Sequence, residues 1–278
     1  MKYRMVAIDL DGTLLNDEKV IPNENKKIIN QLIDNEVEIA IATGRGYWSA
    51  KNFTKNLGRD LTIIGNNGTI VRTMNDDNVL IKKYLDKNDF FTLLAEGRKR
   101  GFYPVLHVDH YEEGYDLIFE LDKDDIKYSS YLSRISDRYV QIDDLFNYTE
   151  PKVLSIVYIG EIEMLKEFQA TLSTLYSEKY NTHILDKLIK VGPILEIMNP
   201  LGSKWLTLSE YAKEKGIKND EIVTIGDDNN DIEMLHNAGL GVGMKNCSEK
   251  VKQVADVITK KTNNEAGVAH ALKEIFKI

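Results

Sequence analysis

The sequence predicts an α/β protein: a parallel sheet with helical crossovers, interrupted by an inserted α+β segment. Three observations carry this. Short runs that are apolar on both faces alternate with stretches of helical period, near the start of the chain and again in its last third. Polar clusters that include glycine follow several of those runs. Between about Tyr84 and Gly192 the runs turn amphipathic and aromatic, as strands with one wet face do.

"RMVAIDL" is the first strand, closed by turn-forming residues. Pro22 stands near the start of a helix with apolar positions Ile28, Ile29, Leu32 and Ile33. "VEIAIAT" and "DLTIIGNNG" follow as the second and third strands. In the last third, "KWLTLSEYAKEKG" has helical spacing and ends on Gly216. "EIVTIGDD" is a strand, and "NDIEMLHNAG" is a helix closed by Gly239. "LGVGM", "SEKVKQVAD" and "VIT" read as strand, helix and strand before a C-terminal helix. The middle holds strands in "FYPVLHV", "YDLIFEL" and "VLSIVYIG". Its helices are "KNDFFTLLAEGRKRG" and "IEMLKEFQATLSTLYSEKY". This divides the chain into a first domain of residues 1–83 and 193–278 and an inserted domain of residues 84–192.

The bulk numbers limit the function. A chain of 278 residues is long enough for two modest domains and a sizeable core. A net charge of −8 argues against nucleic acid as the main partner, because phosphate backbones attract basic surfaces. No run is long enough to span a bilayer, and Asp9 breaks the apolar start too early for a signal peptide. The single cysteine, Cys247, forms no internal disulfide, so a cytoplasmic location is expected. Oligomeric state is not legible. The acidic run "DKDD" at 122–125 reads as solvated surface, and His107 and His110 read as structural.

Four polar clusters fall where an open parallel sheet binds ligands, at strand ends and helix starts. They are "DLDGT", "ATGR", "PLGSK" and "GDDNND". Each alone is an ordinary turn or cap. Together, in this order, they suit phosphoryl transfer to a carboxylate. Asp9 is the candidate nucleophile, forming an aspartyl-phosphate. Asp11 is the candidate acid and base, first for the leaving oxygen and then for water. Carboxylates facing a phosphate dianion need a hard cation, so Mg²⁺ is the expected cofactor, with Asp9, Asp11 and Asp227 as its candidate carboxylates. Thr43 and the Gly44 amide can hold phosphate oxygens, Asn230 can donate to them, and Lys204 can neutralise the charge that builds there. Asp231 either orients Lys204 or a metal-bound water, or caps a helix.

The same residues resemble a known family. "DLDGTLL", "ATGR", Lys204 after "PLGS", and "GDDNNDIEML" resemble the four motifs of the haloacid dehalogenase-like hydrolases. They are most similar to the Cof-type phosphatases, whose cap domain is inserted between the second and third motifs. The resemblance implies a Rossmann-like core with an α/β cap, Mg²⁺ dependence, and hydrolysis of small phosphorylated metabolites such as sugar phosphates or nucleotide-type cofactors. It implies that Leu10, beside Asp11, joins Thr43, Gly44, Lys204 and Asn230 around the phosphate. Asp11 as a second aspartate argues against dehalogenation, which does not need that acid. Two alternatives share the same residues: a phosphomutase acting on sugar phosphates, and a non-catalytic protein that senses a phosphometabolite.

Overall fold

The computed structural model describes residues 2–120, 131, 138–149, 151–185 and 192–278. The acidic run 122–125 lies outside the described residues. Two compact units are present, one of residues 1–82 and 203–278 and the other of residues 83–202.

The first unit begins with β1 (Met5–Ile8), α1 (Asn23–Asp34), β2 (Glu38–Ala42), α2 (Tyr47–Thr54) and β3 (Thr62–Gly65). An antiparallel pair, β4 (Ile70–Thr73) and β5 (Val79–Lys82), closes that edge of the sheet. The sequence pattern does not separate this pair from the preceding strand. Its partners are near neighbours joined by short turns, so no crossover helix announces them.

The second unit holds α3 (Lys87–Lys99), β6 (Pro104–His110), β7 (Tyr115–Phe119), β8 (Tyr139–Gln141), β9 (Val153–Ile159), α4 (Ile162–Leu175), β10 (Asn181–Leu185) and β11 (Ile194–Met198). The chain then returns to the first unit through α5 (Lys204–Glu214), β12 (Ile222–Gly226), α6 (Ile232–Asn237), β13 (Leu240–Gly243), α7 (Glu249–Val254), β14 (Val257–Ile258) and α8 (Gly267–Phe276).

In the first unit the strand order is β14-β13-β12-β1-β2-β3-β4-β5. From β14 to β3 every pair is parallel. Met5, Val6, Ala7 and Ile8 are all buried, as a central strand covered on both faces requires. Met5, Ala7, Ala40 and Ala42 pack with Trp205, Leu208 and Tyr211 of α5. Small alanines on the strands leave room for those large helix side chains. The chain moves outward from β1 through β2 and β3, and later outward on the other side from β12 through β13. Strand order therefore reverses between β1 and β12, whose registered pairs run from Met5↔Ile222 to Ile8↔Ile225. This reversal is the topological switch point, the usual ligand position of such sheets.

The second unit has its own sheet, ordered β10-β11-β9-β6-β7-β8 and mostly antiparallel. Helices α3 and α4 cover one face through Phe90, Leu93, Leu165 and Phe168, which meet Leu106, Ile156 and Tyr158. The sequence places the return to the first unit at residue 193. In the structure Ile194–Met198 pairs with both β10 and β9, so the return falls at Ser203. "ILEIM" is apolar enough to suit either sheet, and only its pairing partners decide.

His107 and His110 are hydrogen-bonded within this unit. His107 Nε2 lies 2.7 Å from the Tyr131 hydroxyl and His110 Nε2 lies 2.5 Å from that of Tyr148. Burial pulls the His107 imidazole down to about 4, against about 6.5 in an unfolded chain. Below pH 6.5 the unfolded chain takes up a proton that the native imidazole refuses until about pH 4. The stability tied to this group is therefore complete above pH 6.5 and is lost as pH falls toward 4. Urea unfolding between pH 7 and pH 5 is expected to show a loss on the order of 1–2 kcal/mol from this residue, which His107→Gln removes.

Among the described residues no helix is long and apolar enough to cross a membrane.

Candidate active site

The site forms where β1 and β12 end side by side. The Asp9 amide donates to the Ile225 carbonyl at 3.0 Å, so Asp9, one residue past β1, is still tied to β12. The chain then folds back tightly, with Leu14 N–H bonded to Asp9 O and Leu15 N–H to Leu10 O. Gly12 makes this turn possible. Its φ is +80°, and a Cβ there would stand 2.3 Å from Oδ2 of Asp227. Both the backbone conformation and the close approach demand glycine. The next residue, Thr13, donates its hydroxyl to Oδ1 of Asp227 at 2.9 Å.

Lys204 comes from the start of α5. Ser203 caps that helix, its Oγ accepting from the Leu206 amide at 2.9 Å. The capped first turn aims Lys204 inward, where it is 2% exposed. Its Nζ donates to Oδ1 of Asp9 and to Oδ1 of Asp231, each at 2.7 Å. Asp231 is fully buried. Its second oxygen accepts from the amides of Asp227 and Asp228 at 3.0 and 3.1 Å. It therefore ties the end of β12 to Lys204. Asp231 makes no side-chain cap bond at α6; its second oxygen instead accepts from the amide of Asp228, the residue that caps the short turn 229–231.

One lysine among two buried carboxylates, Asp9 and Asp231, and the half-buried Asp227 leaves an excess of negative charge. Burial pushes the Asp9 carboxyl well up; Lys204 pulls it back, while Asp231 and Asp227 push it further. Burial, and then the charge of Asp231, push Asp227 up to about 7. Burial alone would lower Lys204, but Asp231 and Asp9 outweigh it and keep it an ammonium ion.

Asp9, Asp227 and Asp231 each offer an oxygen, and these oxygens lie within 4.8 Å of one another. Such a donor set suits a hard divalent cation. Both oxygens of Asp231 are already occupied by Lys204 and two amides, so Asp9 and Asp227 are the carboxylates with capacity to hold one.

The phosphate-side candidates gather on the neighbouring loops. Thr43 follows β2 and is buried, its hydroxyl accepting from the Arg45 amide at 3.1 Å. Gly44 faces Asn67, whose Oδ1 would lie 3.1 Å from a Cβ at that position. Asn230 donates to the same Oδ1 at 3.0 Å. Leu10 buries its side chain in the core, so only its backbone can serve a ligand.

Comparison with known proteins is consistent with this geometry. A family model described as haloacid dehalogenase-like hydrolase matches residues 6–272. The chain belongs to that family. It is a hydrolytic enzyme of the Cof type, as the motifs indicate. It is similar to the 5-amino-6-(5-phospho-D-ribitylamino)uracil phosphatase YitU of Bacillus subtilis, 28% identical over 290 residues and covering 100% of this chain and 99% of that one. The phosphatase YwpJ of the same organism is 26% identical, covering 98% of this chain and all of the other. A solved phosphatase of the haloalkanoate (HAD) enzyme superfamily from Bacteroides thetaiotaomicron superposes with a TM-score of 0.82 at 25% identity, covering 99% and 96% of the two chains. The Rossmann-like core and inserted α+β cap expected from the motifs are the architecture of this hydrolase.

Asp11 takes different partners from the other site acids of the hydrolase. The carboxylate of Asp11 does not join the group formed by Asp9, Asp227 and Asp231. It accepts from Arg45 Nε at 2.5 Å, from Arg45 Nη2 at 2.7 Å and from Lys19 Nζ at 2.7 Å. A planar guanidinium fits a carboxylate in two parallel bonds, and the added lysine leaves Asp11 no reason to face the other acids. Burial pulls Asp11 up, but these bonds outweigh it and hold the carboxyl at about 2. Arg45 is braced in turn by Phe53, whose ring its guanidinium covers at 4.4 Å.

Arg45, Lys19, Thr13 and Asn67 are the site neighbours that sequence reasoning passed over. Arg45 stood in view as the last residue of "ATGR". Thr13 and Asn67 make their contacts across more than 150 residues, with no spacing to reveal them.

Proposed function

We propose that this chain hydrolyses small phosphorylated metabolites, sugar phosphates or nucleotide-type cofactors, with Mg²⁺ and through an aspartyl-phosphate on Asp9. The chain is a phosphoric monoester hydrolase of the haloacid dehalogenase-like superfamily. The finer reading rests chiefly on the pairing of Asp9 with Lys204 at the end of β1, beside Asp227.

In this reading Asp9 attacks phosphorus, and the bond from phosphorus to the leaving oxygen breaks as Asp11 delivers a proton to that oxygen. Water then attacks the phosphoryl group, Asp11 takes its proton, and the bond to Asp9 breaks, releasing inorganic phosphate. Lys204 holds one oxygen of Asp9 and offsets charge on the phosphoryl group; Asp231 keeps Lys204 in place. Arg45 and Lys19 hold Asp11 in the ionised form that the water step needs, so the first step requires that hold to loosen. Thr43, Gly44 and Asn230 receive the remaining phosphate oxygens. Mg²⁺, held by Asp9 and Asp227, would supply charge neutralisation between the carboxylates and the phosphate.

The substrate set to try includes 5-amino-6-(5-phospho-D-ribitylamino)uracil, the compound in the name of the relative YitU. Purified protein is expected to release phosphate from at least one member of a panel of sugar phosphates, nucleotides and this compound. EDTA should abolish the release and Mg²⁺ should restore it. No phosphate from any member, with Mg²⁺ present, overturns the reading. Turnover that depends on an added sugar bisphosphate and yields an isomer would make the chain a mutase.

A further inference from the structure

We infer that Asn246 is a positioning residue for the Asp227 carboxylate, acting through the Gly12–Thr13 peptide. This rests on the reading of Asp227 as a holder of the divalent cation. The segment from Met244 to Ser248 grips the end of β12 by its backbone: Met244 N–H bonds to Gly226 O and Ser248 N–H to Asp227 O, both at 2.9 Å. From the middle of the same segment, Asn246 Nδ2 donates to the Gly12 carbonyl at 2.7 Å. The orientation of that amide is fixed, because Asn246 Oδ1 accepts from the Asn263 N–H at 3.1 Å. Asn263 is itself held, donating to Leu15 O at 3.0 Å and to Asp17 Oδ1 at 3.1 Å.

The peptide that Asn246 holds is the one that sets Asp227. Gly12 packs against one oxygen of that carboxylate, and the Thr13 hydroxyl donates to the other. If this peptide rotates, both contacts change together. Asn246 thus joins the backbone and side-chain supports of Asp227 into one unit, and a ligand held in advance binds a cation more tightly than one that must be ordered first.

Asn246 is exposed. Water can replace its amide at the Gly12 carbonyl, so truncation leaves the fold intact, but water does not fix the direction of the peptide. This separates positioning from mere structural support.

The experiment titrates Mn²⁺ directly into the whole protein by calorimetry. Asn246→Ala is expected to weaken Mn²⁺ binding fivefold or more with the melting temperature nearly unmoved. In a Thr13→Val background, which lacks the hydroxyl, the same substitution should change affinity by less than twofold. In Thr13→Ser, which keeps it, the fivefold effect should persist. Asn264→Ala, whose amide reaches only Asp17, should leave affinity unchanged. Unchanged Mn²⁺ affinity in Asn246→Ala, or an equal effect with and without the Thr13 hydroxyl, overturns the inference. Asp227→Asn, measured alongside, tests its premise. If that variant binds Mn²⁺ as well as the parent, the cation role of Asp227 falls and the inference with it.

Discussion

Asp9→Asn should abolish phosphate release, lowering kcat by roughly 10⁴-fold or more, the scale seen when a nucleophile is removed. Asparagine has the same shape but does not form the mixed anhydride that turnover needs. The substitution should not damage the fold. Burial and two neighbouring carboxylates push the Asp9 carboxyl up, so the native state holds this charge at a cost. Lys204 keeps its second partner, Asp231, at 2.7 Å. In the absence of divalent cations the melting temperature of Asp9→Asn is therefore expected to equal or exceed that of the parent above pH 7. Phosphate release on the best panel substrate and thermal unfolding of the same samples check both halves. Activity within tenfold of the parent would remove Asp9 from the nucleophile's role.

The parts of this arrangement legible in the sequence were those written as local pattern. "VAIDLDGT" shows a buried strand ending in carboxylates, and the run "EIVTIGDD" shows a second. A parallel sheet that reverses order at its centre places the two ends together. Lys204 could be placed because a helix start follows "PLGS". What escaped were choices made between distant segments. Asp11 has the same spacing from Asp9 whether it faces a cation or Arg45, and the bidentate partner decides. The dual use of the Asp231 oxygens needs the amides of Asp227 and Asp228 and the ammonium of Lys204 in one place. The strand "ILEIM" has no feature that assigns it to one sheet over the other, and its pairing with β9 and β10 moves the unit boundary by ten residues from the expected position. Asn246 and Asn263 are polar residues in turns, and only their bonds to the Gly12 and Leu15 carbonyls distinguish them from solvated ones.

Lys204→Met should have the opposite effect on stability to Asp9→Asn, and a large one. Methionine nearly fills the volume but leaves Asp9 and Asp231, both buried, without their cation. Removing one partner of a buried ion pair costs about 3–5 kcal/mol, which for a chain of this size is on the order of a 10 °C fall in melting temperature. Turnover should fall by roughly 10²–10³-fold at least, since a preorganised charge on the phosphoryl group is lost. The stability defect should depend on pH in a definite direction. Burial and the neighbouring carboxylates already push the Asp9 carboxyl up, and without Lys204 nothing pulls it back. Between its unfolded and folded values the native state binds more protons, so stability falls as pH rises. The gap between Lys204→Met and the parent should therefore widen from pH 5 to pH 8, and adding Asp231→Asn should narrow it by removing one of the stranded charges. Urea unfolding of the three proteins at both pH values measures this. If Lys204 only filled space and made ordinary hydrogen bonds, the gap would be the same at both pH values. Loss of Asp9 and loss of Lys204 would also then shift stability in the same direction, whereas an excess of buried negative charge requires opposite signs.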